Sequence, residues 1–299
     1  MTEPAADAAY AKASPLLIGL ALLALYTVWG SSYLFAKLAL ASFPPLMISG
    51  LRFYTAGSIL FIFCVARGIP LPTWRQMLNA FLLGLLLLAV GNGGMVIGLQ
   101  YVSTGLTAIS FAGIPLWTAL FSGLVGNWPR PLEWVALIVG LVGVGLLTME
   151  ADFQGSLLGT VSILSAALTW SLGTVLLPRM ELPRGLMTPA VQMVSSGALL
   201  ILLSWSIEDR MTVFPSWQAM AAIGALIIGP SLTGFTAHGF LLRQQVRPIM
   251  ANSFAYVNPV VALSLGVVVL GESIQLIGIV AMFVILGAVA LLGMTRQRA

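Results

Sequence analysis

One histidine, one cysteine and nine carboxylates are a sparse chemical inventory for 299 residues. The carboxylates are Glu3, Asp7, Glu133, Glu150, Asp152, Glu181, Glu208, Asp209 and Glu272, and all fall at the ends of apolar runs or between them. Covalent or acid–base catalysis needs a nucleophile and a base that converge, and metal chemistry needs clustered ligands. Neither pattern is present, so the sequence does not read as an enzyme, and no cofactor or metal is expected. Cys64 is a lone cysteine inside an apolar run and allows no intrachain disulfide. Lys12 and Lys37 are the only lysines, and no phosphate-binding loop accompanies them, which argues against ATP-driven work by this chain alone. His238 is the one group inside an apolar run that titrates near neutrality.

The other unusual residues are aromatic and polar side chains at the same depth. Trp29, Tyr33, Trp117, Trp170, Phe235 and Tyr256 lie well inside apolar runs, away from the interfacial belts where Trp and Tyr are usually enriched. Asn92, Thr233, His238 and Asn252 share that depth. These ten residues are the candidate solute-binding set. Trp29, Trp117, Trp170 and Tyr256 suit a flat or amphipathic solute through stacking and cation–π contact. The competing role for the polar members is hydrogen bonding between helices. Pro115, Pro230 and Pro259 each remove a backbone donor inside a run, and Gly91-Asn92-Gly93-Gly94 loosens another. Such breaks survive in a membrane only where protein or a water-filled cavity satisfies the backbone. The prolines are therefore expected as hinges, the alternative being simple packing kinks. Arg52 is the only strong charge within a run. Its distance from the run's end favours snorkelling to the headgroups, with a counter-ion role for a solute carboxylate as the rival reading. Gly140, Gly143 and Gly145 are expected to permit close helix contact.

The runs that must position these residues are membrane spans. Hydrophobic residues make up 59% of the chain and charged residues 7%, against about 25% charged in a soluble domain. A span needs roughly 20 apolar residues. Ten are expected, over 16–37, 46–66, 77–100, 103–125, 133–149, 157–177, 188–206, 220–242, 248–270 and 274–294. The N-terminal stretch lacks the basic start of a cleavable signal, so the first span should remain as an anchor. With the N-terminus inside, Lys12, Arg67, Arg75, Arg130, Arg179, Arg184, Arg243, Arg247, Arg296 and Arg298 fall on the cytoplasmic side, and only Lys37 and Arg210 fall outside. The positive-inside rule then places both termini in the cytoplasm of a multi-pass inner-membrane protein. The basic residues are scattered in short loops, so nucleic acid is not an expected partner. The expected partners are a small-molecule solute and the lipid bilayer; oligomeric state stays open.

Weak internal similarity divides the chain into residues 1–150 and 151–299. An offset near 144 pairs Pro115 with Pro259, Gly143 with Gly287 and Leu147 with Leu291; a slightly smaller one pairs Trp29 with Trp170 and Gly57 with Gly197. Five spans per unit is an odd number, so the two units would insert in opposite orientations, an architecture common in secondary transporters.

Several of these stretches resemble one family. Trp29-Gly30-Ser31-Ser32-Tyr33 through Lys37, Gly50-Leu51-Arg52-Phe53 through Gly57, Gly140 through Leu147, and Asn258-Pro259 through Gly271-Glu272 are similar to the first, second, fifth and ninth helices of EamA-type members of the drug/metabolite transporter superfamily. Asn127-Trp128 departs from the pattern where the second half has Gly271-Glu272. The resemblance implies an all-α fold of ten transmembrane helices, an inverted repeat, and export of small organic metabolites. It is nearest to bacterial amino-acid and drug exporters, including the aromatic amino-acid type. A passive channel or facilitator, or a non-transporting sensor or subunit, remains the alternative.

Overall fold

A computed structural model of the chain describes residues 13–98, 100–102, 107, 110–147, 156–208, 214–270 and 276–295. Glu3, Asp7, Lys12, Glu150, Asp152, Asp209, Arg210, Gly271-Glu272, Arg296 and Arg298 lie outside the described residues, as do the side chains of Tyr33 and Lys37.

The described residues fold as helices, and their starts follow ordinary capping chemistry. Ser14 opens α1 (Pro15–Leu40), its hydroxyl accepting from Leu17 N at 3.2 Å. Pro45 begins α2 (Pro45–Ala66), where a missing N–H costs nothing. Two backbone donors at that end are taken by a carboxylate from elsewhere: Leu46 N and Met47 N donate to Glu208 at 2.7 and 3.3 Å. Thr73 and Gln76 form a reciprocal capping box at the start of α3 (Trp74–Gly98). Next come α4 (Ser110–Leu124) and α5 (Pro131–Leu147). Ser156 and Ser216 cap α6 (Leu157–Arg179) and α8 (Trp217–Arg243), with α7 (Met187–Ile207) between them. A single turn, Pro248–Ala251, precedes α9 (Phe254–Leu270), and α10 (Leu276–Met294) ends the bundle.

Seven of these helices, α1, α2, α3, α6, α7, α8 and α10, are long and apolar enough to cross a membrane; α4 and α5 are shorter apolar helices. Large apolar side chains such as Leu20, Leu23, Ile62, Ile138 and Phe283 face outward, while Ser49, Thr174, Gln192, His238 and Asn252 are buried. That inversion is unstable in water and correct in lipid, where the bundle interior satisfies the polar groups. Trp74 and Trp217 stand exposed at the first residues of α3 and α8, where an interfacial belt belongs.

Two expected spans are interrupted. The run 248–270 breaks at Asn252-Ser253, between the Pro248–Ala251 turn and α9. In α4 a turn at Gly113 precedes Pro115, which sits in the first turn of the resumed helix Ile114–Leu124 and not at mid-span. Proline is tolerated there because the first turn has no partner for its N–H. Pro230 lies inside a widened π-helical segment of α8, Ile227–Gly234, and Gly91 through Gly93 end a matching segment of α3, Leu85–Gly93.

α2 packs along α7, α5 along α10, α1 against α8 and α9, and α6 against α3 and α4. The α2–α7 crossing is reciprocal. A Cβ on Gly57 would strike Val194 N at 2.6 Å, and a Cβ on Gly197 would strike the backbone of Tyr54. Gly140 lies under the Tyr256 ring, and Gly143 under Ile285, so the fifth helix touches its neighbours through glycine. A Cβ on Gly145 would meet nothing within 4 Å.

Candidate functional site

The π-helical segments bring the site together. A π-turn adds a residue to the turn and swings the following side chains off the α-helical register. In α3 this places Asn92 toward α2, where its Oδ1 accepts from Ser49 Oγ at 3.1 Å and Arg52 Nη2 at 2.6 Å. Arg52 does not snorkel. It is 6% exposed, and its guanidinium carbon lies 4.5 Å from the Phe53 ring centroid. With a carbonyl acceptor and a ring face inside the bundle, the side chain has better partners there than at the headgroups. Its inward spacing along α2 was the available sequence signal.

Arg52 and Asn92 share a cavity of about 50 Å³ with Trp29, Trp170, Phe235 and Asn258. A second cavity, of about 150 Å³, shares Phe235 with the first and is lined as well by Leu87, Gln192, His238 and Arg243. An aromatic cluster lines the first cavity through Trp29, Trp170, Phe235 and Phe254 and reaches the second through Phe235 and His238. Trp29 meets Trp170 with centroids at 5.3 Å, Phe235 at 5.1 Å and Phe254 at 4.5 Å. His238 lies against both tryptophans at 5.5 and 5.7 Å.

The polar members fix these rings. Trp29 Nε1 donates to Pro230 O in the π-segment of α8 at 3.0 Å. Trp170 Nε1 donates to Asn252 Oδ1 at 3.2 Å, which also pairs with His238 Nε2 at 3.3 Å. Asn252 Nδ2 donates to Thr118 Oγ1 at 2.7 Å. Asn252 sits at the break before α9, fully buried behind the rings, and its role there is to position them.

Of the sequence-expected residues, the structure gathers Trp29, Asn92, Trp170, Phe235, His238 and Asn252, with Pro230 on the wall. Three others lie elsewhere. Tyr256 is in a separate core between α9 and α5, its hydroxyl donating to Leu137 O at 2.8 Å. Thr233 is exposed and bonds its own helix at Ile228 O. Trp117 packs beside Gly113 and borders neither cavity. Pro259 lies within α9, one residue past the cavity-lining Asn258. Asn258, Phe254 and Gln192 were missed, because their types give no sign of which helix face looks inward; Arg52 was noticed, but was expected at the headgroups and not in the cavity it lines.

Membrane-length helices that enclose cavities lined by aromatic side chains and a few buried polar groups fit the architecture of a membrane transporter. The chain belongs to the EamA-like transporter family. That family's sequence pattern matches residues 16–149. The uncharacterized inner membrane transporter YedA of Escherichia coli K12 is 41% identical over 272 residues, covering 91% of this chain and 89% of YedA. The uncharacterized transporter YoaV of Bacillus subtilis strain 168 is 25% identical, over 86% of this chain and 90% of its own. A crystal structure of a protein 20% identical superposes with a TM-score of 0.77, over 95% of this chain and 99% of that one, a likeness of fold alone. The protein is thus a multi-pass transporter of the inner membrane.

Proposed function

We propose that this transporter exports small organic metabolites by alternating access, and that its solutes are amino acids, aromatic ones included, and amphipathic drugs of similar size. The observation that carries the reading is the pair of cavities that share Phe235, a member of the aromatic cluster with Trp29 and Trp170. In this reading a solute exchanged between them passes Phe235. An apolar cavity near 150 Å³ accommodates a benzene-sized ring, which matches the larger cavity and an aromatic side chain.

The reading includes ten spans arranged as two inverted five-helix units, residues 1–150 and 151–299, with both termini cytoplasmic. Support comes from packing that survives exchange of the units. The contacts α1–α8 and α1–α9 are matched by α6–α3 and α6–α4, and α2–α7 and α5–α10 pair each helix with its counterpart. Gly57 with Val194 and Gly197 with Tyr54 repeat one contact at positions 140 apart. The widened segments of α3 and α8 occupy equivalent helices. Reconstitution of this chain alone in proteoliposomes, with a panel of labelled amino acids and lipophilic cations, tests the function. Saturable counterflow of aromatic amino acids is expected. Flux that never saturates and shows no counterflow would leave a channel in its place.

A further inference from the structure

We infer that Arg52 is the recognition cation of the smaller cavity and binds a carboxylate of the transported solute, an assignment that rests on the transporter reading above. Arg52 is a fixed cation at about 10 Å from the start of its helix, and it is buried. Among the described residues the ion pairs are Arg75–Glu181 and Arg247–Glu133, and no carboxylate pairs with Arg52. Its Nη2 is engaged by Asn92, but Nε is buried without any partner. A guanidinium has five N–H donors in a planar fork, and a buried one left half-satisfied pays for desolvation without return. Carboxylate is the partner that fits such a fork, by two parallel charge-assisted bonds.

The surroundings are built for that task. Asn92 Oδ1 takes hydrogen bonds from both Ser49 and Arg52, which holds the guanidinium in one orientation. Asn258, 6% exposed, lines the same cavity and its buried Oδ1 also lacks a partner. Two residues that line one cavity thus keep an unpartnered polar atom each, a donor on Arg52 and an acceptor on Asn258. A molecule with a carboxylate and an amino group satisfies both. Trp29, Phe235 and Phe254 supply the apolar remainder of the wall. A cavity of about 50 Å³ admits a charged head group, with the side chain of the solute directed to the mouth or the aromatic cluster.

The probes are L-phenylalanine and L-phenylalaninamide, which differ only in the carboxylate. Binding to the purified full-length protein in nanodiscs is read by calorimetry and by the fluorescence of the cavity tryptophans. The acid is expected to bind the wild type about tenfold tighter than the amide, the scale of one charged hydrogen-bonded contact. That preference should fall to near unity in Arg52→Gln and survive in part in Arg52→Lys. The wild-type ratio stands alone as a test if Arg52→Gln does not fold. Equal binding of acid and amide, binding of neither, or an unchanged ratio in Arg52→Gln overturns the assignment. Flux is measured separately: an acid preference in binding without alternating-access transport removes the proposed mechanism and keeps Arg52 as the carboxylate site.

Discussion

Trp29 and Trp170 meet edge to face at the centre of the bundle, ring centroids 5.3 Å apart and planes at 80°. Trp29 comes from α1 and Trp170 from α6, and each leans on a helix with a widened π-helical segment, α8 for Trp29 and α3 for Trp170. Trp29 bonds Pro230 O in α8 and lies over Gly234, where a Cβ would collide with its indole. A Cβ on Gly91 of α3 would come within 3.3 Å of the Trp170 ring. In the proposed inverted repeat the pair is shared between the two units, and alternating access by rocking one against the other would part it.

Replacement of Trp29 or Trp170 by Ala is expected to lower flux of aromatic solutes by at least about tenfold, the loss of roughly 1.4 kcal/mol of stacking and packing in the rate-limiting complex. Tyr256→Phe should leave flux intact and lower thermal stability, because it removes only the bond to Leu137 O, worth about 1 kcal/mol. Counterflow and thermal unfolding in detergent check the two effects. Wild-type flux in both tryptophan variants refutes this role of the pair.

Asn252→Leu is expected to destabilise the protein by about 2–4 kcal/mol, since it strands the buried Trp170 N–H and His238 and leaves Thr118 without its donor. Flux should fall with it, through a displaced Trp170 ring. Asn252→Asp keeps the acceptor and should retain more of Trp170's fluorescence signature than Asn252→Leu. Identical spectra from the two variants would count against the positioning role.

The apolar runs and the breakers were legible because they are local: Pro230 and Gly91-Asn92-Gly93 announce loosened turns. The capping residues Ser14, Thr73, Ser156 and Ser216 are equally local signals, but they took no part in placing the expected spans. The motif glycines have a plain geometric reason: Gly30 lets α1 touch Val261, and Gly57 and Gly197 let α2 and α7 cross. What was not legible depends on helix rotation. Helices this uniformly apolar show no polar stripe, so Tyr256 and Trp170 look alike in sequence although only Trp170 faces the cavities. Arg52 was misassigned for the same reason. Its depth allowed snorkelling, and only the π-turn that delivers Asn92 decides otherwise.

The proposed topology, with both termini cytoplasmic, is testable at exposed positions. A cysteine replacing Phe214, which is 86% exposed, should react with an impermeant thiol reagent added to intact cells. One replacing Arg67, at the C-terminal end of α2, should stay silent until the membrane is opened. The native Cys64 is fully buried and gives little background. The reverse labelling pattern would invert the orientation.

Energy coupling turns on one residue. Proton-coupled carriers hold an ionisable carboxylate or histidine within the membrane. Among the described residues lining the two cavities, the ionisable groups are Arg52, His238 and Arg243. Arginine does not release its proton under these conditions, which leaves His238. Its Nε2 faces Asn252 Oδ1, and its ring is enclosed by Trp29, Trp170 and Phe254, an arrangement that serves packing well. Flux should therefore follow the solute gradient and respond little to an imposed pH gradient. His238→Gln, whose amide can still donate to Asn252, should transport at a rate near that of the wild type. Solute flux in proteoliposomes, with and without a pH gradient, measures both. Stimulation that vanishes in His238→Gln would assign proton coupling to this histidine. Strong stimulation that survives the substitution would rule out both the gradient-driven mechanism and His238, and would turn attention to Glu272, at the far end of the ninth span.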